Sequence, residues 1–205
     1  MRIALFGGSY DPPHRGHIAI AQAAVKAFAL DQVLFAPAGR QPLKQEGHAA
    51  SWEDRLAMVA LACADSDAGR FLASTLDHPH LDGSANYTVD TLEALRAEHP
   101  GDRLFALAGA DSFRTIGRWR SAERLFELAE WIVVSRPGIP LELPPDLALP
   151  PVLERRVHLL DSVHEEVAAT SLRHRLLAGD PCGDLLSPAV SSYIERHGLY
   201  RGKAE

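Results

Sequence analysis

The sequence predicts an α/β fold, a doubly wound parallel sheet with helices on both faces, and three observations carry that prediction. Short apolar runs alternate along the chain with longer stretches of helical character. The runs are compact and continuously apolar, as strands buried on both faces require. Several of them stop at glycine or proline. Strands joined through helices pair in parallel, and right-handed crossovers then wind the chain over both faces. Ligands of such sheets bind at the carboxyl ends of the strands, near the point where strand order reverses.

Each element has its own signal. RIALF (Arg2–Phe6) is an apolar strand ended by Gly7-Gly8. HIAIAQAAVKAFAL, from His17, has helical length and is rich in alanine. QVLFAPAG is a second strand, stopped by Pro37 and Gly39. SWEDRLAMVALACA opens with Ser51 as helix N-cap and Asp54 three residues on, close to a capping box. RFLAS is a third strand, and YTVDTLEALRAEHPG a helix ended by Pro100-Gly101. RLFALAGAD is a fourth strand, SAERLFELAE a short helix and WIVVSRPG a fifth strand, with Arg156–Leu160 as a sixth. TSLRHRLLAGD and SPAVSSYIERHGLY are closing helices, capped by Gly179 and Gly198. The proline-rich GIPLELPPDLALPP reads as an exposed loop. The length of 205 residues fits one domain spanning 1–205, with a C-terminal helical segment at about 170–200.

Composition narrows the class. Apolar residues make up 46% and charged residues 23%, the profile of a soluble globular protein. The formal net charge of -6 argues against nucleic acid or a membrane surface as partner. The two cysteines, Cys63 and Cys182, form neither a disulfide framework nor a zinc pattern, which fits the cytoplasm. No apolar run reaches the roughly 18 residues that span a bilayer. A homo-oligomer is compatible with these features.

The chemistry concentrates in GGSYDPPHRGH (residues 7–17). Gly7-Gly8 serve either as a tight turn or as a place where backbone approaches a phosphate. The dinucleotide fingerprint and the P-loop pattern are both absent. His14 and His17 fall at the start of the first helix, and their spacing of three puts both imidazoles on one side of its first turn. A helix start favours an anion, and imidazole donors strengthen as negative charge accumulates in a transition state. Gly16 is expected to leave room for substrate between the rings. No third ligand accompanies the pair, so no metal site is assigned. DHPHLD (Asp77–Asp82) reads as a solvated loop rather than a metal cluster.

GGSYDPPHRGH resembles the G-x-[FY]-D-P-x-H-x-G-H signature of the nucleotidylyltransferase superfamily. That resemblance implies a Rossmann-like fold and transfer of AMP or CMP from a nucleoside triphosphate with release of pyrophosphate. NYTVDTL (86–92), GADSFRTIGRW (109–119), VVSRPG (133–138) and the closing ATSLR…YIERHGLY resemble the bacterial nicotinate mononucleotide adenylyltransferase family, in order and nearly end to end.

The family resemblance implies ATP and nicotinate mononucleotide as substrates, with Mg²⁺ accompanying the triphosphate. It implies His14, His17, Lys44 and Arg173 as the phosphate-handling groups. Gly7, Gly8, Ser9, Gly16, Arg136 and Thr170 would line the ATP site. Tyr87, Thr88, Gly109, Asp111 and Trp119 would hold the nicotinate nucleotide, with Trp119 stacked on the pyridine ring and Thr88 beside its carboxylate. Asp111 would hold a ribose hydroxyl or support the metal–phosphate region, a role compatible with capping a helix at the strand end. Three positions in two segments depart from the family pattern. Leu43 replaces the histidine of its P-P-H-K loop, and Ala168-Ala169 replace two serines of its I-S-S-T-x-I-R segment. Two lost neutral hydrogen bonds would weaken ATP binding by roughly 1–3 kcal/mol, while Thr170 remains available to cap the helix. Alternatives are another acceptor, nicotinamide mononucleotide or phosphopantetheine, and a non-catalytic nucleotide-binding sensor.

Overall fold

The computed structural model describes residues 1–42, 47–135, 150–161 and 167–201. Its centre is a six-stranded, all-parallel sheet: β1 (Arg2–Gly8), β2 (Gln32–Pro37), β3 (Phe71–Ala73), β4 (Arg103–Gly109), β5 (Glu130–Val134) and β6 (Val157–Leu160), in the order β3-β2-β1-β4-β5-β6. The reversal between β1 and β4 is the switch point that the alternation of strands and helices anticipates.

The strands divide the core by alternation. Ile3 and Leu5 of β1 join one apolar cluster with Leu92 and Leu95 of α3 (Thr88–Glu98) and Leu125 and Phe126 of α5 (Ala122–Leu128). Ala4 and Phe6 join a second with Ala21 and Ala24 of α1 (Arg15–Phe28) and Val59 and Cys63 of α2 (Trp52–Asp67). Period two along a strand sends successive side chains to opposite faces, so both faces are covered. A neighbouring face of α2, about 100° round the helix, presents Met58 and Ala62 to Leu172 of α7 (Ala169–Leu177) and to Val190 and Ile194 of α8 (Pro188–His197). Fully burying such aliphatic side chains contributes roughly 1.5–3 kcal/mol each, which fastens the C-terminal segment to α2.

Local signals behave as read at several ends. Ser51 Oγ accepts the Asp54 backbone N–H at 3.0 Å and caps α2. Gly198 ends α8 at φ 62°, and Gly179 lies just past α7 at φ 86°. Both free cysteines are buried, and burial pushes the Cys63 thiol up to about 12. No helix among the described residues is long and apolar enough to cross a membrane.

Other expectations need correction. Gly7-Gly8 are not a turn: they continue β1 and pair in register with Ala36 and Pro37. The first helix begins at Arg15 instead of His17, with His14 as its N-cap. Two short helices, α4 (Ala110–Phe113) and α6 (Pro151–Glu154), and a 3₁₀ turn at Ile116–Arg118 were not foreseen, because single turns carry no periodicity. Most of the proline-rich stretch lies outside the described residues, although Pro151 opens α6.

Candidate active site

The carboxyl ends of β1 and β4 floor a crevice. Its inner part is lined by Gly7, Gly8, Ser9 and Gly109, and its outer part by Tyr87, Thr88, Arg118 and Trp119. The outer part encloses about 220 Å³. Gln41, Asp77, Thr88, Ser112 and Trp119 line both, so the two are continuous. A Cβ on Gly7 would meet nothing within 4 Å, while one on Gly8 would press on the Tyr10 ring at 3.1 Å. Gly7 therefore opens the floor of the crevice, and Gly8 makes space for a ring that closes the strand end. Tyr10 is buried, and its hydroxyl donates to the Phe6 carbonyl at 2.6 Å.

The two histidines form one unit. The His14 backbone N–H donates to His17 Nδ1 at 3.2 Å, and the two rings stack with centroids 3.8 Å apart. A Cβ on Gly16 would lie 3.1 Å from His14 Nδ1. Gly16 thus makes room for the His14 ring, and the stacked rings leave no gap for substrate between them, contrary to the sequence expectation. Because Nδ1 of His17 accepts a hydrogen bond, the neutral ring carries its proton on Nε2, where it can donate. Burial first, and then the His14 ring, hold His17 well below the ordinary histidine range. The first turn of α1 carries no acidic side chain to neutralise its dipole. His17 packs against Phe6 and Tyr10, which flank the floor glycines in the chain. His14, 8% exposed, faces a smaller pocket with Pro13, Ile18 and Leu186.

At the outer end, Tyr87 caps α3 by position, so Thr88 and Val89, which line the cavity, carry the first backbone N–H groups of that helix. Those donors have no partner within the helix and suit an anion. Trp119 is half-buried; its Nε1 donates to Thr115 Oγ1 at 3.2 Å and its ring meets Trp131 edge-on at 6.0 Å. The Arg120 guanidinium lies 4.0 Å from the Tyr87 ring centroid and pairs with Asp90. Asp111 does not line the crevice in this structure. It sits in the first turn of α4, where Gly109 is the N-cap, and its exposed carboxylate pairs with Arg114.

This geometry can be set against known proteins. The cytidylyltransferase-like family matches residues 5–175. A protein of Roseiflexus sp. (strain RS-1) named "Probable nicotinate-nucleotide adenylyltransferase" is 40% identical over 199 residues, 97% of this chain and 98% of its own. One of the same name from Thermus thermophilus is 41% identical over 203 residues, 98% of this chain and all of its own. The chain belongs to the nicotinate-nucleotide adenylyltransferase family. The fold agrees with that of the Plasmodium falciparum nicotinic acid mononucleotide adenylyltransferase solved with NaAD, at a TM-score of 0.73 and 15% identity over 97% of both chains. A putative nicotinate-nucleotide adenylyltransferase from Vibrio parahaemolyticus gives 0.67 at 20% identity, over 98% of this chain and 96% of that one.

In this family member, sequence reasoning missed two buried polar groups that tie the loops beside the crevice and a half-buried one that lines it. Arg55, 2% exposed, donates to the Ser9 carbonyl at 2.7 Å and the Ala38 carbonyl at 2.9 Å, tying the ends of β1 and β2. Asp11, 3% exposed, accepts the backbone N–H groups of Ala49 and Ala50. Asp77, expected in a solvated loop, is half-buried and lines both parts of the crevice. Burial pushes its carboxyl up to about 6, against hydrogen bonds from Thr91, Asn86 and the Gly39 backbone. A Cβ on Gly39 would lie 2.4 Å from Asn86 Oδ1, so this backbone approach requires glycine. A charged residue inside an apolar helical pattern, as Arg55 is, was the one sequence signal available.

The C-terminal anion segment is arranged differently from expectation. Ala168, not Thr170, is the N-cap of α7, and it offers no side-chain bond. Thr170 is exposed, and its Oγ1 accepts from Arg173 Nη2 at 3.2 Å. Arg173 Nη1 donates to the Asp11 carbonyl at 2.8 Å, which brings this arginine to the histidine loop. Lys44 and Arg136 lie outside the described residues.

Proposed function

We propose that this crevice transfers AMP from ATP to nicotinate mononucleotide, giving nicotinate adenine dinucleotide and pyrophosphate in NAD biosynthesis. The observation that carries the reading is the continuity of the crevice. Strand-end glycines suited to phosphate join, through shared walls, a pocket with an aromatic face and a helix N-terminus. Full-length relatives bearing that activity's name support it.

The acceptor's phosphate oxygen attacks the α-phosphorus in line, a new P–O bond forms, and the bond to the bridging oxygen breaks to release pyrophosphate. Such transfer needs positioning and charge stabilisation, not an enzyme nucleophile. His17, neutral with a donor at Nε2, hydrogen-bonds the α-phosphate as charge gathers there. His14, Arg173 and Lys44 address the phosphate chain, and Thr170 adds a hydroxyl beside Arg173. Gly7, Gly8 and Ser9 let backbone approach the nucleotide, Gly16 admits the His14 ring, and Arg136 serves ATP binding. Trp119 stacks on the pyridine ring between Tyr87 and Gly109. Thr88 and the first amides of α3 receive the ring carboxylate, and Asp111 meets a ribose hydroxyl after exchanging its Arg114 partner.

Among the described residues no group of three or more His, Cys, Asp or Glu side chains could hold a metal ion. Mg²⁺ commonly keeps waters and substrate phosphates as ligands, so it suits a site whose protein groups address the triphosphate; bound there, it neutralises leaving-group charge. We place the activity in the cytoplasm and in one domain. The test is pyrophosphate release from ATP with nicotinate mononucleotide, nicotinamide mononucleotide and phosphopantetheine in turn. Fastest release with the first supports the reading; release only with another acceptor, or none with any, overturns it.

A further inference from the structure

Four stretches distant in the chain meet at one buried residue. Asp11 lies three residues before His14. Its Oδ2 accepts the Ala49 N–H at 2.7 Å and its Oδ1 the Ala50 N–H at 3.1 Å. The Tyr200 hydroxyl donates to Oδ1 at 2.7 Å, and Arg173 reaches the Asp11 carbonyl. We propose that Tyr200 is a positioning residue for the transfer reaction: its hydroxyl, acting through Asp11, fixes the backbone that presents His14 and His17. The reaction side of this inference rests on the function proposed above.

A buried carboxylate needs its lone pairs filled. Two bonds come from neighbouring backbone amides of one loop, and Tyr200 supplies a third from the far end of the chain. Burial and the Asp11 charge push Tyr200 ionisation far up, so the hydroxyl stays a donor. Between Asp11 and His14 stand Pro12 and Pro13. Proline fixes φ, so a shift at Asp11 passes to His14 with little damping. From His14 it passes to His17 through the N–H to Nδ1 bond.

The hydroxyl does little to hold the C-terminal helix itself. Val190 and Ile194 bury α8 against α2, and the Tyr193 hydroxyl donates to Asp54 Oδ1 at 3.0 Å. Tyr193 therefore supplies the control: it ties α8, the helix just before Tyr200, to α2 and not to the histidine loop.

The experiment compares Tyr200→Phe with Tyr193→Phe. It reads kcat, KM for both substrates, Tm, and the imidazole ¹⁵N signals of the free proteins. Tyr200→Phe should lower kcat about tenfold by misplacing the reacting groups, with KM for nicotinate mononucleotide within about twofold. Its His14 and His17 ring signals should move. Tyr193→Phe should keep wild-type kcat and ring signals even where its Tm falls. Wild-type kcat and ring signals in Tyr200→Phe, or equal effects in the two variants, would overturn the proposal. A wild type inactive with every acceptor would defeat the proposed function instead. The ring signals would then still decide the link, moved signals supporting it and unmoved ones overturning it.

Discussion

The backbone N–H of His14 points at Nδ1 of His17, 3.2 Å away, while the two rings stack. One hydrogen bond thus sets which nitrogen of His17 carries the proton. With burial and the adjacent ring disfavouring a second proton, His17 should remain neutral in the free protein from pH 8 to pH 6. Ring ¹⁵N spectra should show a protonated Nε2 and no titration across that range; a midpoint near 6.5 would contradict the assignment. The sign for stability follows. The unfolded chain binds a proton at about pH 6.5 that folded His17 refuses. Its contribution to stability is therefore complete above that value and lost as pH falls below it.

Replacing His17 with alanine removes a donor whose bond strengthens in the transition state. We expect kcat to fall roughly 100- to 1,000-fold, with KM for both substrates changing little. Steady-state kinetics check this, and a near-wild-type kcat would remove His17 from the chemistry.

Asp77 carries a cost of ionisation, because its folded-state pKa of about 6 exceeds the ordinary aspartate value of 3.8. The folded protein binds more protons between those values, so this carboxyl loses stability for the fold as pH rises through them. Asp77→Asn should accordingly gain Tm relative to wild type at pH 8, with the gain shrinking by pH 4. Thermal melts at the two pH values measure it. A gain independent of pH would show that the charge is not the cause.

Trp119 faces the outer cavity and also packs on Trp131. Trp119→Ala should raise KM for nicotinate mononucleotide roughly tenfold, the scale of a lost aromatic stack, and leave KM for ATP near wild type. Trp119→Phe should recover most of the loss. An unchanged acceptor KM in the alanine variant would remove the ring from this wall.

Ala168 holds the extended backbone of an N-cap, φ -102° and ψ 124°, without a side-chain acceptor. Ser51 and Ser187 supply one to their own helices. Ala168→Ser should stabilise the protein by about 1 kcal/mol, and with Ala169→Ser it should lower the ATP KM. Denaturant melts and kinetics separate the two effects; a stability gain with unchanged KM would confine these positions to helix capping.

What the sequence made legible follows from the range of each interaction. Apolar strands, the Ser51 cap and the Gly198 stop depend on neighbours within a few residues, and they appear where local chemistry puts them. The apolar run marks the floor glycines but ends the strand too early, and of the two readings open for Gly7-Gly8 the turn drops out, because pairing with β2 extends β1 beyond that run. Asp11 and Arg55 escaped notice as site-builders, since their partners lie 17 to 189 residues away. Asp77 looked like solvated loop because nothing adjacent in sequence reveals burial between two parts of a crevice. Thr170 stands too late in the chain to cap α7, because the helix starts earlier than its hydroxyl suggests, and a helix end is set by its neighbours as much as by one side chain.

The central claim is tested most directly by the products. ³¹P NMR of the protein with ATP, nicotinate mononucleotide and Mg²⁺ should show pyrophosphate and the diphosphate of nicotinate adenine dinucleotide growing in equal amounts. Pyrophosphate with free AMP and no dinucleotide, or an unchanged ATP spectrum, would contradict it.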